Sequence, residues 1–238
     1  MDEKFFEVLY SGANELGIKL DNNNAKKFKL YKDLLKEWNE RVNLTSILED
    51  EDIAIKHFVD SMSICRYIKK SGATLIDVGT GAGFPSLPIK IVNKDTHVTL
   101  LDSLEKRTKF LNEVVVKLHL DDVDVVHGRA EDIGREDRYR EKFDYACARA
   151  VAALPVLLEY CLPFVKTGGL FIAMKGSNVD EVSVSKNALD KLGGKIVDVV
   201  EFCLPNSDYK RNIVLIQKIK NTPSKYPRKA GKPSRMPL

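Results

Sequence analysis

The chain has few cysteines, few histidines and no long apolar run, and each shortage excludes something. Its 238 residues hold four scattered cysteines, Cys65, Cys147, Cys161 and Cys203. That is no disulfide framework, so a reduced, cytoplasmic protein is expected. The four histidines and four cysteines lack metal-ligand spacing, which predicts no metal. No uninterrupted apolar stretch approaches the roughly 18–20 residues of a membrane helix, so no membrane partner is expected. The opening MDEKFFEVLY puts acids where a secretion signal has bases. No repeat of solenoid length is visible.

Acid is missing from one place in particular. Between Lys218 and Leu238 stand seven bases, four prolines and no acid. The overall charge of +4 therefore divides into a mildly acidic body and a +7 tail. Such a tail suits a polyanion, and it reads as extended, packed locally or partly mobile.

Three regions follow from the pattern. Residues 1–70 read as a helical extension: Phe28, Tyr31, Leu35, Trp38 and Val42 recur at helical spacing after the cap-type run Asp21–Asn24. A first helix is expected near Glu3–Leu16 and another over Ile55–Ile68. Residues 71–220 alternate short apolar runs with helical segments, the last of these Asn178–Leu192. This predicts an α/β, Rossmann-like, mostly parallel seven-stranded sheet. No helix separates the last two runs, Ile196–Phe202 and Asn212–Lys218, so they should form a terminal antiparallel hairpin. Residues 221–238 are the basic, proline-rich tail.

The strongest chemical signal is LIDVGTGAGFPSLPI, Leu75–Ile89. A strand ending in Asp77 runs into Gly79, Gly81 and Gly83 and then into a helix. Glycines let the backbone turn sharply and approach a ligand, as nucleotide-like cofactors require at strand ends. The third glycine comes one residue too early for the dinucleotide fingerprint, which speaks against a nicotinamide enzyme. The second strand ends in Asp102, placed to accept hydrogen bonds from ribose hydroxyls. Together these favour S-adenosylmethionine. The loop GRAED, Gly128–Asp132, follows the third strand, and Glu131 or Asp132 could meet an adenine amine there.

The whole chain resembles the bacterial small-subunit rRNA guanine-N7 methyltransferase family, also called glucose-inhibited division protein B. The resemblance rests on WNERVNLTSI (Trp38–Ile47), HFVDS (His57–Ser61), DVGTGAGFP (Asp77–Pro85), LLDSLEKRTKFL (Leu100–Leu111), GRAE (Gly128–Glu131), ARAVA (Ala148–Ala152), MKG (Met174–Gly176) and KYPRKAGKPSRMPL (Lys225–Leu238). It implies S-adenosylmethionine as donor, a guanine N7 of small-subunit ribosomal RNA as acceptor, and the RNA or the ribosomal subunit as partner; separately, a monomer is expected. The family's cofactor contacts map onto Gly79, Phe84, Ala130, Glu131 and Arg149. Ser86 stands where family members usually have glycine.

Guanine N7 carries a lone pair and no proton, so its methylation needs no general base. The chain shows no [DN]-P-P-[YF] motif of amino-group methyltransferases, and Cys147, between two alanines, reads as core rather than nucleophile. Arg149 is the catalytic candidate. It could hold guanine O6, brace Glu131 and the cofactor loop, or form a structural salt bridge. Lys175 could meet phosphate or lie on the surface. Asn39, Asn43 and Thr45 read chiefly as helix caps, and His57 as hydrogen-bonded within its helix to Asp60. Lys106, Arg107, Lys109, Arg211 and the tail are the expected RNA surface.

Overall fold

The computed structural model describes residues 2–177 and 180–238. Seven strands form one sheet: β1 (Thr74–Val78), β2 (His97–Asp102), β3 (Val123–His127), β4 (Phe143–Arg149), β5 (Val165–Lys175), β6 (Gly194–Cys203) and β7 (Lys210–Lys218). Their order is β3-β2-β1-β4-β5-β7-β6. β1 to β5 pair in parallel, and β7 runs antiparallel to both β5 and β6. The expected hairpin is present, with the antiparallel strand in its inner position and β6 at the edge. Strand order reverses between β1 and β4. Connections leave that point in opposite directions, so a crevice opens at the carboxyl ends of these strands.

The N-terminal helices cover one face of the sheet. α1 is Asp2–Glu15 and α2 is Asn22–Val42. α2 starts on a reciprocal cap: Asn24 N donates to Asp21 Oδ1 at 2.6 Å, and Asp21 N donates to Asn24 Oδ1 at 3.1 Å. It stops at Asn43, whose left-handed φ of 47° ends the helical path. The next helical stretch begins earlier than the apolar spacing suggests. It runs through Asp50–Ile53, a π turn at Ala54–Val59 and Asp60–Met62, then loosens into a 3-10 turn at Cys65–Tyr67. The acidic segment Glu49–Asp52 supplies its cap and first turn, where carboxylates favour the helix dipole.

These helices share one core with the sheet. Phe58 packs against Phe28 at 4.9 Å, Tyr31 at 5.4 Å, Phe84 at 5.9 Å and Phe5 at 6.0 Å between ring centroids. A second core lies under the other face, around Leu157, Leu158, Phe164 and Phe171. The helix expected at Asn178–Leu192 begins outside the described residues. Its remainder is two short helices, Glu181–Val184 and Lys186–Leu192.

The tail is docked along the body. Arg140 donates to the carbonyls of Thr222 and Tyr226 at 2.7 and 2.9 Å. Arg228 grips the buried carboxylate of Glu159 with contacts of 2.6 to 3.0 Å. Among the described residues, no helix is long and apolar enough to cross a membrane.

Phe58 touches four rings from both layers, so Phe58→Ala should cost about 3–5 kcal/mol of folding stability. Urea unfolding of the variant and the parent measures this; a loss under about 1 kcal/mol would show the aromatic cluster to be dispensable.

Candidate functional site

Two clefts open side by side above the carboxyl ends of the strands. The first, about 300 Å³, is built on the glycine loop. Gly79 and Thr80 donate their amides to Leu101 O at 2.8 and 3.1 Å, clamping the loop to β2. Gly79, Gly81 and Gly83 all have positive φ, at 72°, 62° and 94°. A side chain on Gly83 would strike Leu87 and the Tyr31 hydroxyl at 2.5 Å, whereas one on Gly81 would meet nothing within 4 Å. The loop thus packs tightly at its end and leaves space at its middle.

Asp102 closes the floor. Its carboxylate accepts from Gly81 N and Leu104 N, both at 2.9 Å, and Arg107 lies at 3.5 Å. Glu131 and Ala130 line the cleft, while Asp132 is exposed, so of the two acids in this turn only Glu131 faces the cavity. Three further residues complete the walls: Tyr160, Gly231 and Ser234.

Asp77 lies beneath the loop and out of reach of solvent. Thr80 Oγ1 and Ser86 N donate to its Oδ2 at 2.8 and 3.1 Å, and its Oδ1 has no hydrogen-bond partner. Burial pushes its carboxyl up to about 6, against those two hydrogen bonds. Ser86 also stands 3.3 Å from Cys147 Sγ. Burial raises that thiol well above its ordinary value, which leaves it a packing group and no nucleophile.

The second cleft, about 350 Å³, has an apolar floor of Met174, Phe202 and Ile213 and cations around it, among them Arg149, Lys175 and Arg211. Asp60 organises the two arginines. One of its oxygens accepts from Arg149 at 3.0 Å, the other from Arg211 at 3.2 Å. Arg149 also donates to Lys56 O at 3.0 Å and lies 5.1 Å from the centre of the Phe84 ring. His57 stacks on the same Phe84 ring, with 4.4 Å between ring centroids. A guanidinium only donates, so the His57 Nδ1 that faces Arg149 at 3.2 Å must accept. Its Nε2 then carries the proton and donates to Thr45 Oγ1 at 2.9 Å. Desolvation, then the Arg149 charge, holds His57 down to about 3, so the ring is neutral. The clefts meet where β4 ends: Ala150 lines one and Val151 the other.

Several sequence expectations change here. His57 bonds Arg149 and Thr45 rather than Asp60, because Asp60 is taken by two arginines from distant strands. Arg149 does not brace Glu131; it is fixed in the Asp60 network on the side of the second cleft. The Phe84 ring is buried in the aromatic stack and does not line the first cleft. Lys175 is paired with Glu181 at 2.8 Å, and Arg211 lies inside a cleft instead of on an open RNA surface. Lys106 and Lys109 are both exposed, Lys109 in a surface pair with Glu105 at 2.9 Å. Asn39 is a cap, as its position suggests: its Oδ1 accepts from Leu44 N and Thr45 N at 2.6 and 2.8 Å, which sets Thr45 against His57. The roles of Asp60, Tyr160, Gly231 and Ser234 were not visible in the sequence. Asp60 stands in the HFVDS segment, but its partners are 89 and 151 residues away, and nothing local marks that. Among the described residues, no group of three or more His, Cys, Asp or Glu side chains could hold a metal ion.

An open parallel sheet with a glycine-turn cleft and a strand-end acid at its switch point is the fold of the Rossmann-like methyltransferases. Solved structures agree on the fold. TYW2 of M. jannaschii in complex with AdoMet has a TM-score of 0.53 at 15% identity, covering 68% of this chain and 76% of that one. A SAM-dependent methyltransferase from Aquifex aeolicus has a TM-score of 0.52 at 20% identity, covering 69% and 92%. The sequence is more specific. The GidB family, described as rRNA small subunit methyltransferase G, matches residues 24–214. Ribosomal RNA small subunit methyltransferase G of Acetivibrio thermocellus is 60% identical over 100% of both chains. That of Alkaliphilus metalliredigens is 53% identical over 97% of this chain and 98% of its own. The chain therefore belongs to the rRNA small subunit methyltransferase G family.

Asp77 provides a test of the loop's electrostatics. Its folded value lies above the unfolded value of 3.8. Between about pH 4 and pH 6 the folded state keeps a proton that the unfolded state has released, so this group makes stability fall as pH rises, levelling off above pH 6. Asp77→Asn should remove that fall. Its stability relative to the parent should rise by on the order of 2–3 kcal/mol between pH 4 and pH 7, read by denaturant unfolding at each pH. A pH-independent difference would show Asp77 to be ionised throughout.

Proposed function

We propose that this protein transfers the methyl group of S-adenosylmethionine to N7 of a specific guanine in small-subunit ribosomal RNA, working as a cytoplasmic monomer. The first cleft fits the donor: the loop leaves space at Gly81, Asp102 presents a carboxylate at the floor for ribose hydroxyls, and Ala130 and Glu131 stand where an adenine edge would lie. Gly79 and Gly83 hold the loop in that shape. When bound, S-adenosylmethionine supplies an electrophilic methyl group on a sulfonium.

The second cleft then takes the acceptor base. Its apolar floor suits a flat heterocycle, and Arg149 and Arg211 present donors to an acceptor edge such as guanine O6. Arg149 is the group we assign to the reacting base. Its bonds to Asp60, Lys56 O and His57 fix its plane, and Phe84 supports it from below. It must not bond N7, whose lone pair is the nucleophile.

The observation that carries the reading is the bonding of His57, whose two ring nitrogens are engaged by Arg149 and Thr45. This neutral ring is committed at both nitrogens, Asp60 is paired twice, and Cys147 is buried. The acceptor cleft thus offers cations without a free base or nucleophile. Methylation at an aromatic nitrogen that bears no proton needs neither. Holding two reactants in line can supply on the order of 7–11 kcal/mol of the barrier.

Two experiments test this. Ribosomal RNA from cells with and without the protein should differ by one N7-methylguanosine, located by borohydride reduction and aniline scission. No difference, or a methyl group on another atom, would refute the assignment. In the purified protein, Asp102→Ala should weaken S-adenosylmethionine binding about tenfold or more by calorimetry, since a charged hydrogen-bond acceptor is lost. Unchanged affinity would remove Asp102 from the ribose role.

A further inference from the structure

The tail is basic, yet the groups it presents to the body do not include its exposed charges. After β7 it passes Arg140 and Arg135, which bind its carbonyls from Thr222 to Pro227, and buries Tyr226. Arg228 is then locked to Glu159. The chain next crosses to the first cleft. Gly231 N donates to Glu131 Oε1 at 2.9 Å, and Ser234 Oγ is 2.7 Å from the Tyr160 hydroxyl. Gly231 has a φ of 78° and opens the short turn Lys232–Arg235, which brings Ser234 back over the cavity. Gly231 and Ser234 stand in the same cavity wall as Glu131 and Tyr160, across from Gly79 and Asp102.

We propose that the C-terminal tail is a structural wall of the cofactor cleft, in which Gly231 positions Glu131 and Ser234 positions Tyr160 for the bound ligand. This rests on the reading of that cleft as the S-adenosylmethionine site. Glu131 sits in a turn of only four helical residues, Ala130–Ile133, with its side chain buried against the tail. The Gly231 amide occupies one of its oxygens and so fixes the direction of the other. Tyr160, on the helix Leu154–Cys161, is fixed in the same way by Ser234. Gly231 and Ser234 are positioning residues, and they lie 100 and 74 residues from the groups they hold.

Linkage makes the idea testable from both sides. If the docked tail helps to bind the ligand, the ligand must stabilise the docked tail by the same factor. Lys229 is exposed and lies between the two anchors at Arg228 and Gly231, so the Lys229–Ala230 bond reports docking.

The full-length protein should first be titrated with S-adenosylhomocysteine by calorimetry. No binding to the parent protein would defeat the cofactor reading itself. With parent binding in hand, Gly231→Pro removes the amide donor and the left-handed φ, and should weaken affinity about tenfold or more. Tyr160→Phe should weaken it a few-fold. Circular dichroism and thermal melting establish that each variant is folded. If Gly231→Pro does not fold, the parent protein still decides: trypsin cleavage after Lys229 should slow when S-adenosylhomocysteine is saturating. Parent affinity in the folded variants, or cleavage indifferent to ligand, would overturn the proposal.

Discussion

The arrangement of the acceptor side depends on one carboxylate. Asp60 is buried and holds Arg149 at the end of β4 and Arg211 at the start of β7. It comes from the helical layer, so three elements that are remote in sequence converge on it. A buried ionic group of this kind is a poor source of net stability, because desolvation offsets much of the attraction. What it supplies is geometry. Each guanidinium would be repelled by the other without the anion between them, and the anion would be costly to bury without both. The cationic wall of the second cleft therefore exists in one arrangement, set by the packing of the N-terminal helices.

Those helices also brace the glycine loop. The Tyr31 hydroxyl donates to Ala82 O, and the Tyr31 ring stacks on Phe84 at 5.4 Å. Phe84 follows Gly83 directly, and its ring carries His57 on one side and Arg149 nearby. A displacement of the loop would thus be felt at Arg149 through a single ring. Packed aromatic stacks transmit such shifts because their interiors have little free volume. One ring thus touches the supports of both clefts, an arrangement that suits a reaction requiring two reactants in line. The neutrality of His57 is part of the same logic: a charged imidazole in this stack would face Arg149 directly.

The sheet was legible because its signals are local. Alternating apolar runs, the Asp21 cap and the turn-rich Leu204–Arg211 segment each act over a few residues. The glycine loop and Asp102 were legible because close backbone approach and a strand-end acid leave a mark in the chain. The site's remaining geometry has no such mark. Asp60 and His57 are three apart on one helix, and spacing alone suggests that they bond each other. Only the fold brings Arg149 and Arg211 to Asp60 and Thr45 to His57. Phe84 carried a cofactor expectation from the family motif, but a ring after a tight turn can face either cavity or core, and Tyr31 supplied the core.

At the tail a charge count and the fold carry different information, for a physical reason. A formal count treats every base as equal, while the fold sorts them. Lys218 is the last residue of β7, buried against Glu141 and the Leu162 carbonyl, and burial pulls its amine down to about 8. Arg228 is spent on Glu159. Lys220, Lys225, Lys229, Lys232 and Arg235 remain exposed. Three of these five flank the Gly231 turn, on a segment whose inner side is the amide and hydroxyl facing Glu131 and Tyr160. The charge left on the outer side of this turn is therefore fixed in place by the contacts on its inner side, the Gly231 amide on Glu131 and the Ser234 hydroxyl beside Tyr160.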